Sequence, residues 1–539
     1  LFSKINAEKK IITKNFNHLL GRYVVIEIYN QNINIFSDTT GRVDLFYILD
    51  KKKLIISTIL ETIKEFSSKK VNNLALAHSM SIYGFRCPKK DTIFQDIKRF
   101  APGDVVNLSY QGLKINKHKF ISKKIDQNLK IKEFYDLFMH SINSRSSKNG
   151  NFISLSSGWD STSILAALIK LKGKNKIKCF INRMKFSKRS EVINKFEILR
   201  AKKIADYYGV RLKIIDLDYR NSNCVDEVSK HIDILKQNHL VSLPAINQMK
   251  LYKVISKEYN GETFFTGEGS DGLQNFGFSQ YATLYHDKSR DFREYSDKML
   301  CYLFGPTFLN KILNGNGGDD LIFNFLKNVK KIKTSKFKTT KKEIIKDFIF
   351  SFFLRNLRFP NSSPESLKLI TKKGRKNYQD YMFKNYFSDT IDKVTPNNIY
   401  SYYLHFYKFF HWQSSTSLSR DYAAQNYNIN IAHPFLDEDL ISLFSKAPES
   451  WGRGLDINNT KYALKEFLKN KLDYPYYLQS GPHSYTYDVQ PGFSLANEFL
   501  NYSSLKNLFL KKLKDKNILY KIDSNIFSKI YINNLINKY

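Results

Sequence analysis

Residues 151–172 read Asn-Phe-Ile-Ser-Leu-Ser-Ser-Gly-Trp-Asp-Ser-Thr-Ser-Ile-Leu-Ala-Ala-Leu-Ile-Lys-Leu-Lys. Phe152 to Leu155 is a short apolar run that suits a buried strand. Ser161 to Leu171 has helical spacing, with Ile164, Leu165, Leu168 and Ile169 on one stripe. Between them Ser156-Ser157-Gly158-Trp159-Asp160 is small and polar, as a strand-to-helix turn requires. Such a turn sits beyond the carboxyl end of a strand, where open parallel sheets bind ligands. Small residues let backbone N–H groups approach phosphate oxygens, and the helix start favours negative charge. Ser156, Ser161 and Thr162 add hydroxyls. Asp160 would repel a bare phosphate, so magnesium ligation is its natural role. An ordinary turn, with Asp160 or Ser161 as a cap, is the competing reading.

The pattern on either side extends the strand–helix unit. Ile131 to Asn143 is helical in spacing and Asn149-Gly150 breaks it. Lys176 to Ile181 reads as a second strand, and Glu197 to Tyr208 as an amphipathic helix with Ile198, Ala201, Ile204, Ala205 and Tyr208 on its face. Leu212 to Leu217 reads as a third strand, and Glu262 to Phe265 as a further buried one. The β-α-β-α-β alternation predicts a parallel sheet with right-handed crossovers. Residues 1–122 look different: Tyr23 to Ile28, Ile33 to Ser37, Leu54 to Ser57 and Val105 to Leu108 are short β-like runs separated by turn signals. The remainder, to Tyr539, is mainly helical in pattern, with loops expected at Asn314 to Gly318 and Asn361 to Pro364.

Composition bounds the function. The chain has 539 residues, 42% of them hydrophobic, which fits two or more ordinary globular domains. No apolar run approaches a membrane span; Ile344 to Phe359 is interrupted by Lys346, Asp347, Arg355 and Arg358. The formal charge of +36 admits a nucleic-acid partner, yet the lysines are scattered rather than gathered in one arm. Cys87, Cys179, Cys224 and Cys301 form no C-x-x-C pair and suit neither a zinc site nor a disulfide scaffold, so a cytoplasmic location is expected.

A second segment pairs with the first. Thr266-Gly267-Glu268-Gly269-Ser270-Asp271-Gly272 follows the strand ending at Phe265. Leu155 to Thr162 resembles the S-G-G-x-D-S loop of the N-type ATP pyrophosphatases, and specifically the synthetase domain of asparagine synthetases. Thr266 to Gly272 resembles that family's S-G-E-G-S-D-E. The departures are Ser157 for the first Gly, Thr266 for Ser and Gly272 for the last Glu. His433-Pro434-Phe435-Leu436-Asp437 resembles R-x-P-F-L-D, Ala447-Pro448 the family's L-P, and Lys461 to Lys465 its K-x-x-L-R. The R-x-K stretch that usually follows is replaced by Gln479-Ser480-Gly481-Pro482-His483. From the residues alone, Phe435 and Leu436 suit a core and Asp437 a helix cap.

The resemblance implies a fold and a chemistry. The fold is α/β: an antiparallel β-rich, glutaminase-like domain of the N-terminal-nucleophile type over 1–122, then a parallel-sheet, adenine-nucleotide α-hydrolase-like synthetase domain over 123–539 with a helical C-terminal part. Leu155, Ser156, Ser157, Gly158, Asp160, Ser161, Thr162, Thr266 and Gly267 would bind ATP and its pyrophosphate. Asp160 and Asp271 would hold Mg2+. Glu268 would assist an incoming amine, and Lys461 would stabilise charge during adenylation or acyl transfer. β-Lactam synthetases typically have Tyr where Glu268 stands, which tilts the reading toward the asparagine-synthetase branch.

In the N-terminal part, Gly21-Arg22-Tyr23, Ser37-Asp38-x-x-Gly41 with Leu45-Phe46-Tyr47, Thr92-Ile93-Phe94 and Pro102-Gly103 resemble the second half of the glutaminase domain. Asp38 matches a glutamine-contacting position. The family's nucleophile is a first-residue Cys, whereas no Cys precedes Cys87, so a truncated or degenerate glutaminase is expected.

The expected activity is an AMP- and pyrophosphate-forming ligase that activates a carboxylate, on a small molecule or a peptide, as its adenylate. Nitrogen from ammonia or glutamine would then join it. A homodimer is compatible with this reading. Competing readings are a β-lactam synthetase or lasso-peptide cyclase type of ligase, a basic nucleic-acid-modifying ATP pyrophosphatase, and a scaffold without activity.

Overall fold

The computed structural model of the chain describes residues 21–29, 32–50, 53–75, 78, 90–109, 112–116, 120–185, 195–218, 230–237, 243–276, 298, 301–320, 340–354, 372–412, 416–455 and 458–479. Cys87, Cys224, Asn361 to Pro364 and Ser480 to His483 lie outside them.

The N-terminal part forms two antiparallel sheets. One has the order β1-β2-β6-β7, from Val24–Tyr29, Asn32–Ser37, Val105–Ser109 and Gly112–Asn116. The other has the order β4-β3-β5, from Lys53–Ser57, Phe46–Asp50 and Lys98–Arg99. Ile35, Leu45, Phe100 and Val106 are buried together with Tyr47 and Ile56 beside them, and Tyr47 stacks on Phe100 at 4.4 Å between ring centroids. The other face of β3 places Phe46 and Ile48 against Leu60, Ile63, Phe94 and Ile97. The sequence pattern does not mark strand β3 for that reason. It packs on both faces, so it lacks the polar–apolar alternation that marks a half-buried strand.

The rest of the described chain contains a five-stranded sheet in the order β10-β9-β8-β11-β12, from Arg211–Asp218, Ile177–Lys185, Asn151–Ser154, Thr263–Phe265 and Asn430–Ala432. Every neighbouring pair is parallel. The expected fold class therefore holds: antiparallel N-terminal sheets, a parallel sheet and a helical C-terminal part. Its helices follow from the apolar stripes. In Trp159–Lys172, Ile164, Leu165 and Leu168 are buried; in Lys195–Tyr208, Ile198, Ala201, Ile204, Ala205 and Tyr208 are. Strand β12 is an addition to the sequence reading. Its three residues are too few for a period to be legible.

The strand order positions the site. From β8 the chain adds β9 and β10 on one side, then returns to place β11 and β12 on the other. The direction of winding thus reverses between β8 and β11, and such a switch point opens a crevice at the carboxyl ends. Register levels those ends: Phe265 pairs with Ile153 of β8 and with Ala432 of β12. The loops beginning at Leu155, Thr266 and His433 therefore leave the sheet side by side.

Beyond the sheet, Ile399–Tyr407 is a buried helix whose Tyr400, Tyr403 and Tyr407 are fully enclosed by aromatic neighbours. The interrupted apolar run that starts at Ile344 lies in the helix Lys341–Phe353, capped by Thr340 and Glu343 in a reciprocal capping box. The loop expected at Asn314 to Gly318 contains a 3-10 turn over Asn316–Asp319.

Candidate active site

Three segments meet at the switch point. The Leu155–Thr162 turn folds on itself: Ser161 Oγ accepts the Ser156 N–H at 3.1 Å and lies 3.1 Å from Ser156 Oγ. Leu155 and Thr162 are fully buried, with Thr162 against Tyr474, so they anchor the turn in the core. Ser157 is the costly member. Its φ is 61°, a left-handed conformation that favours glycine, and its side chain is buried. Gln479 pins that strained peptide by donating Nε2–H to the Ser157 carbonyl at 3.2 Å and to Tyr474 OH at 2.8 Å.

The second turn touches the first through its glycines. A Cβ on Gly267 would stand 3.0 Å from Asp160 Cβ. Gly269 has φ +92°, and a Cβ there would meet Leu436 Cδ2 at 2.5 Å. Both glycines are thus required by close approach, the second also by backbone conformation. Ser270 Oγ donates to Asp160 Oδ1 at 2.6 Å and accepts from Gln274 Nε2 at 2.6 Å.

Lys461 joins the two turns. Its Nζ lies 2.7 and 2.6 Å from the two Asp160 carboxylate oxygens and 2.7 Å from Asp271 Oδ1. Asp160 and Lys461 are separated by 301 residues in sequence. Lys461 itself is left-handed, with φ 58° and ψ 35°, and it starts the helix Tyr462–Lys471. Gly452 allows this, since a Cβ there would collide with the Asn459 carbonyl and crowd the Lys461 N–H. Burial pushes the Asp160 carboxyl above its ordinary range; Lys461 opposes the shift and the neighbouring Asp271 charge adds to it. Asp271 is the more open of the pair, with 34% of its side chain exposed against 21% for Asp160.

Glu268 stands apart from this ion cluster. Its Oε2 lies 3.2 Å from Nε of Arg420, which is on the helix Thr416–Gln425. Arg420 carries no motif signal, and its part in the site is visible only in three dimensions. The backbone N–H of Glu268 donates to Thr266 Oγ1 at 3.3 Å, and Thr266 Oγ1 lies 2.6 Å from His433 Nδ1. The expected roles of the neighbouring motif hold: Phe435 and Leu436 are core, and Asp437 caps the helix Glu438–Lys446 by accepting the Asp439 N–H at 3.0 Å.

Asp38 is not brought to this site. Its buried carboxylate closes a turn, accepting Thr40 Oγ1–H at 2.6 Å and the Arg42 N–H at 3.0 and 3.1 Å. Cys179 and Cys301 are buried thiols outside any disulfide, and Cys301 donates Sγ–H to the Asn275 carbonyl at 3.0 Å. Among the described residues no cluster of three or more His, Cys, Asp or Glu could hold a metal, and no helix is long and apolar enough to cross a membrane.

A family model described as asparagine synthase matches residues 133–477, more than half of the chain. No curated protein matches. Among solved structures, an NH3-dependent NAD synthetase from Campylobacter jejuni is 15% identical, covering 49% of this chain and 97% of its own, with a TM-score of 0.20. A glutamine-dependent NAD+ synthetase from Acinetobacter baumannii, in complex with ADP, is 11% identical over 71% of this chain and 82% of its own, with a TM-score of 0.20. A U34-tRNA thiolase from Methanococcus maripaludis is 15% identical over 49% and 82%, with a TM-score of 0.19. Likenesses this faint carry no argument about chemistry.

Proposed function

The chain belongs to the asparagine synthase family, and from that premise we propose that it is an ATP-dependent ligase that activates a carboxylate as its adenylate and joins a nitrogen to it. The observation that carries this reading is the convergence on Lys461 of Asp160 and Asp271, which stand just beyond two adjacent parallel strands.

The residues suit a magnesium ion. Two carboxylates already share one cation, the Lys461 ammonium, and they offer hard oxygen donors. Magnesium is commonly held by one or two carboxylates, with phosphate oxygens and water completing its shell. Asp160 and Asp271 would hold it, and when bound it would neutralise charge on the phosphates of ATP. The chain's own groups have distinct parts. The Ser156 to Ser161 turn would cradle the pyrophosphate with backbone N–H groups and hydroxyls. The ammonium of Lys461 would leave its carboxylate partners to meet the charge that develops at the α-phosphorus or on the acyl oxygen. Glu268, oriented by Arg420, would accept a proton from the amine as it attacks the acyl carbon. The products are an amide, AMP and pyrophosphate.

We place the boundary between the two domains near residue 122. The segment after it is tied to the synthetase part, with Ile125 N donating to Asn397 O and Asp126 N to Lys446 O, each at 2.8 Å. The nitrogen source is ammonia or glutamine, and the carboxylate is left to experiment. ATP–pyrophosphate exchange with a panel of free and peptidyl acids tests the proposal. Exchange should depend on one acid and fall at least about a hundredfold in Asp160→Ala. Robust exchange that Asp160→Ala leaves unchanged would remove the metal and phosphate assignment.

A further inference from the structure

A buried hydrogen-bonded chain runs from the N-terminal sheets to the Thr266–Asp271 turn. It starts at the turn that Asp38 closes, where Asp38 accepts the Arg42 backbone N–H. The Arg42 guanidinium leaves that turn and grips Asp421 in a two-point contact, Nε to Oδ2 at 2.9 Å and Nη2 to Oδ1 at 2.7 Å. Asp421 Oδ1 lies 3.2 Å from His433 Nε2, and His433 Nδ1 lies 2.6 Å from Thr266 Oγ1. Thr266 Oγ1 in turn receives the Glu268 backbone N–H. Arg42 is 7% exposed, Asp421 and His433 are 0% and Thr266 is 1%, so water cannot substitute for any link.

The chemistry of the links fixes their direction. Burial tends to raise the Asp421 carboxyl, but Arg42 and His433 outweigh it and hold the group ionised, well below the usual carboxylate range. An ionised carboxylate only accepts, so His433 must donate from Nε2. Burial keeps the imidazole neutral by pushing it below its ordinary range. Its Nδ1 is therefore an acceptor and takes the Thr266 hydroxyl proton. With its proton committed, Thr266 Oγ1 presents lone pairs to the Glu268 N–H. A helix turn does the rest: Arg420, the residue before Asp421, pairs with the Glu268 carboxylate. Two consecutive residues of one helix thus hold Glu268 by side chain and, through His433 and Thr266, by backbone.

We infer that Arg42, Asp421 and His433 are positioning residues that set the Thr266–Glu268 turn from the N-terminal domain, so that Glu268 is aimed only when the two domains are docked. The role of Glu268 rests on the function proposed above; the positioning itself does not. None of the three residues is expected to touch a substrate.

Amide hydrogen exchange of the full chain, without ATP, reads the positioning directly. His433→Phe keeps an aromatic ring, somewhat larger, and removes both polar atoms. His433→Gln can still donate to Asp421 and accept from Thr266. Thr266→Val keeps the shape and removes only the hydroxyl. The inference expects exchange at residues 266–269 to rise about tenfold or more in His433→Phe and Thr266→Val, with strand β8 at residues 151–154 unchanged, and to stay near wild type in His433→Gln. Unchanged exchange at 266–269 in Thr266→Val would overturn it, as would failure of His433→Gln to hold the turn where the rest of the sheet is intact. In assays, His433→Phe should lose amide formation more than ATP–pyrophosphate exchange. A wild-type chain without exchange activity would instead defeat the proposed function and leave the hydrogen-exchange result standing.

Discussion

The turn after β8 secures itself locally, whereas the turn after β11 is held from a distance. In the first, the hydroxyl of Ser161 reaches back five residues to Ser156 and Gln479 holds the Ser157 carbonyl, while Asp160 at its far end meets Ser270 and Lys461. In the second, His433, Asp421 and Arg42 supply the anchors, and two glycines let neighbouring backbone and side chains close in. The first turn contains the strained residue, at φ 61°; the second avoids strain by using glycine at φ +92°. Both solutions put a carboxylate on Lys461. They differ in what each would lose: the second depends on space, the shared cluster on charge, and the first on backbone conformation.

The largest expected effect tests the dependence on space. Gly269→Ala places a methyl 2.5 Å from Leu436 Cδ2 and 2.9 Å from its Cγ, at a left-handed φ. Leu436 is buried and must repack to make room, so overpacking and strain together should cost about 3 kcal/mol. Gly158→Ala in the first turn would meet nothing closer than Ser156 Oγ at 3.7 Å and should be nearly neutral. Denaturant unfolding of the two variants measures the difference. Equal destabilisation would erase the contrast between the turns.

Much of this contrast was legible in sequence and part was not. The strand–turn–helix order around Ser156 to Ser161 could be read because the apolar runs are separated by small polar residues. The meeting of Asp160 with Asp271 is implied by the family resemblance, and it is compatible with both standing after strands of one sheet. The switch point itself could not be read, because it depends on which side of β8 the chain returns to. Strand β12 is too short to show a period, and β3 is buried on both faces. Arg42 and Asp421 are 379 residues apart and each looks like an ordinary surface charge in sequence. Only burial reveals that they are a committed pair.

A smaller effect comes from the shared cluster. Two carboxylates face one ammonium there, and burial raises the Asp160 carboxyl above its unfolded value of 3.8. A carboxyl raised in the folded state binds its proton more tightly there than in the unfolded chain. Its contribution is therefore fully present below pH 3.8 and lost as pH rises through the folded value. Asp160→Asn removes that loss. It should stabilise the ligand-free chain by about 1 kcal/mol at neutral pH, a typical size for one substitution, and the gain should shrink toward zero near pH 4. Thermal melts across that range read the slope. A gain that grows on acidification would mean that Lys461 more than compensates burial, and that the cluster is a stabilising ion pair rather than a site awaiting a second cation.

The smallest effect belongs to the first turn. Ser157 occupies a left-handed conformation that costs an L-residue roughly 1–2 kcal/mol, and glycine there gives back roughly 0.5–1 kcal/mol through its freer unfolded chain. Its hydroxyl adds to the case: Ser157 Oγ is buried with no hydrogen-bond partner among the described residues. Ser157→Gly removes both the strain and the desolvated hydroxyl, and leaves the carbonyl that Gln479 holds. We expect a net gain of about 0.5–1 kcal/mol in denaturant unfolding. The turn should also bind pyrophosphate no more weakly than before, since the backbone N–H groups are what a phosphate would meet. A loss of stability would mean that Ser157 makes a contact that outweighs its strain. The first turn would then depend on outside partners as the second does, and the local-versus-distant contrast would fail at its clearest point.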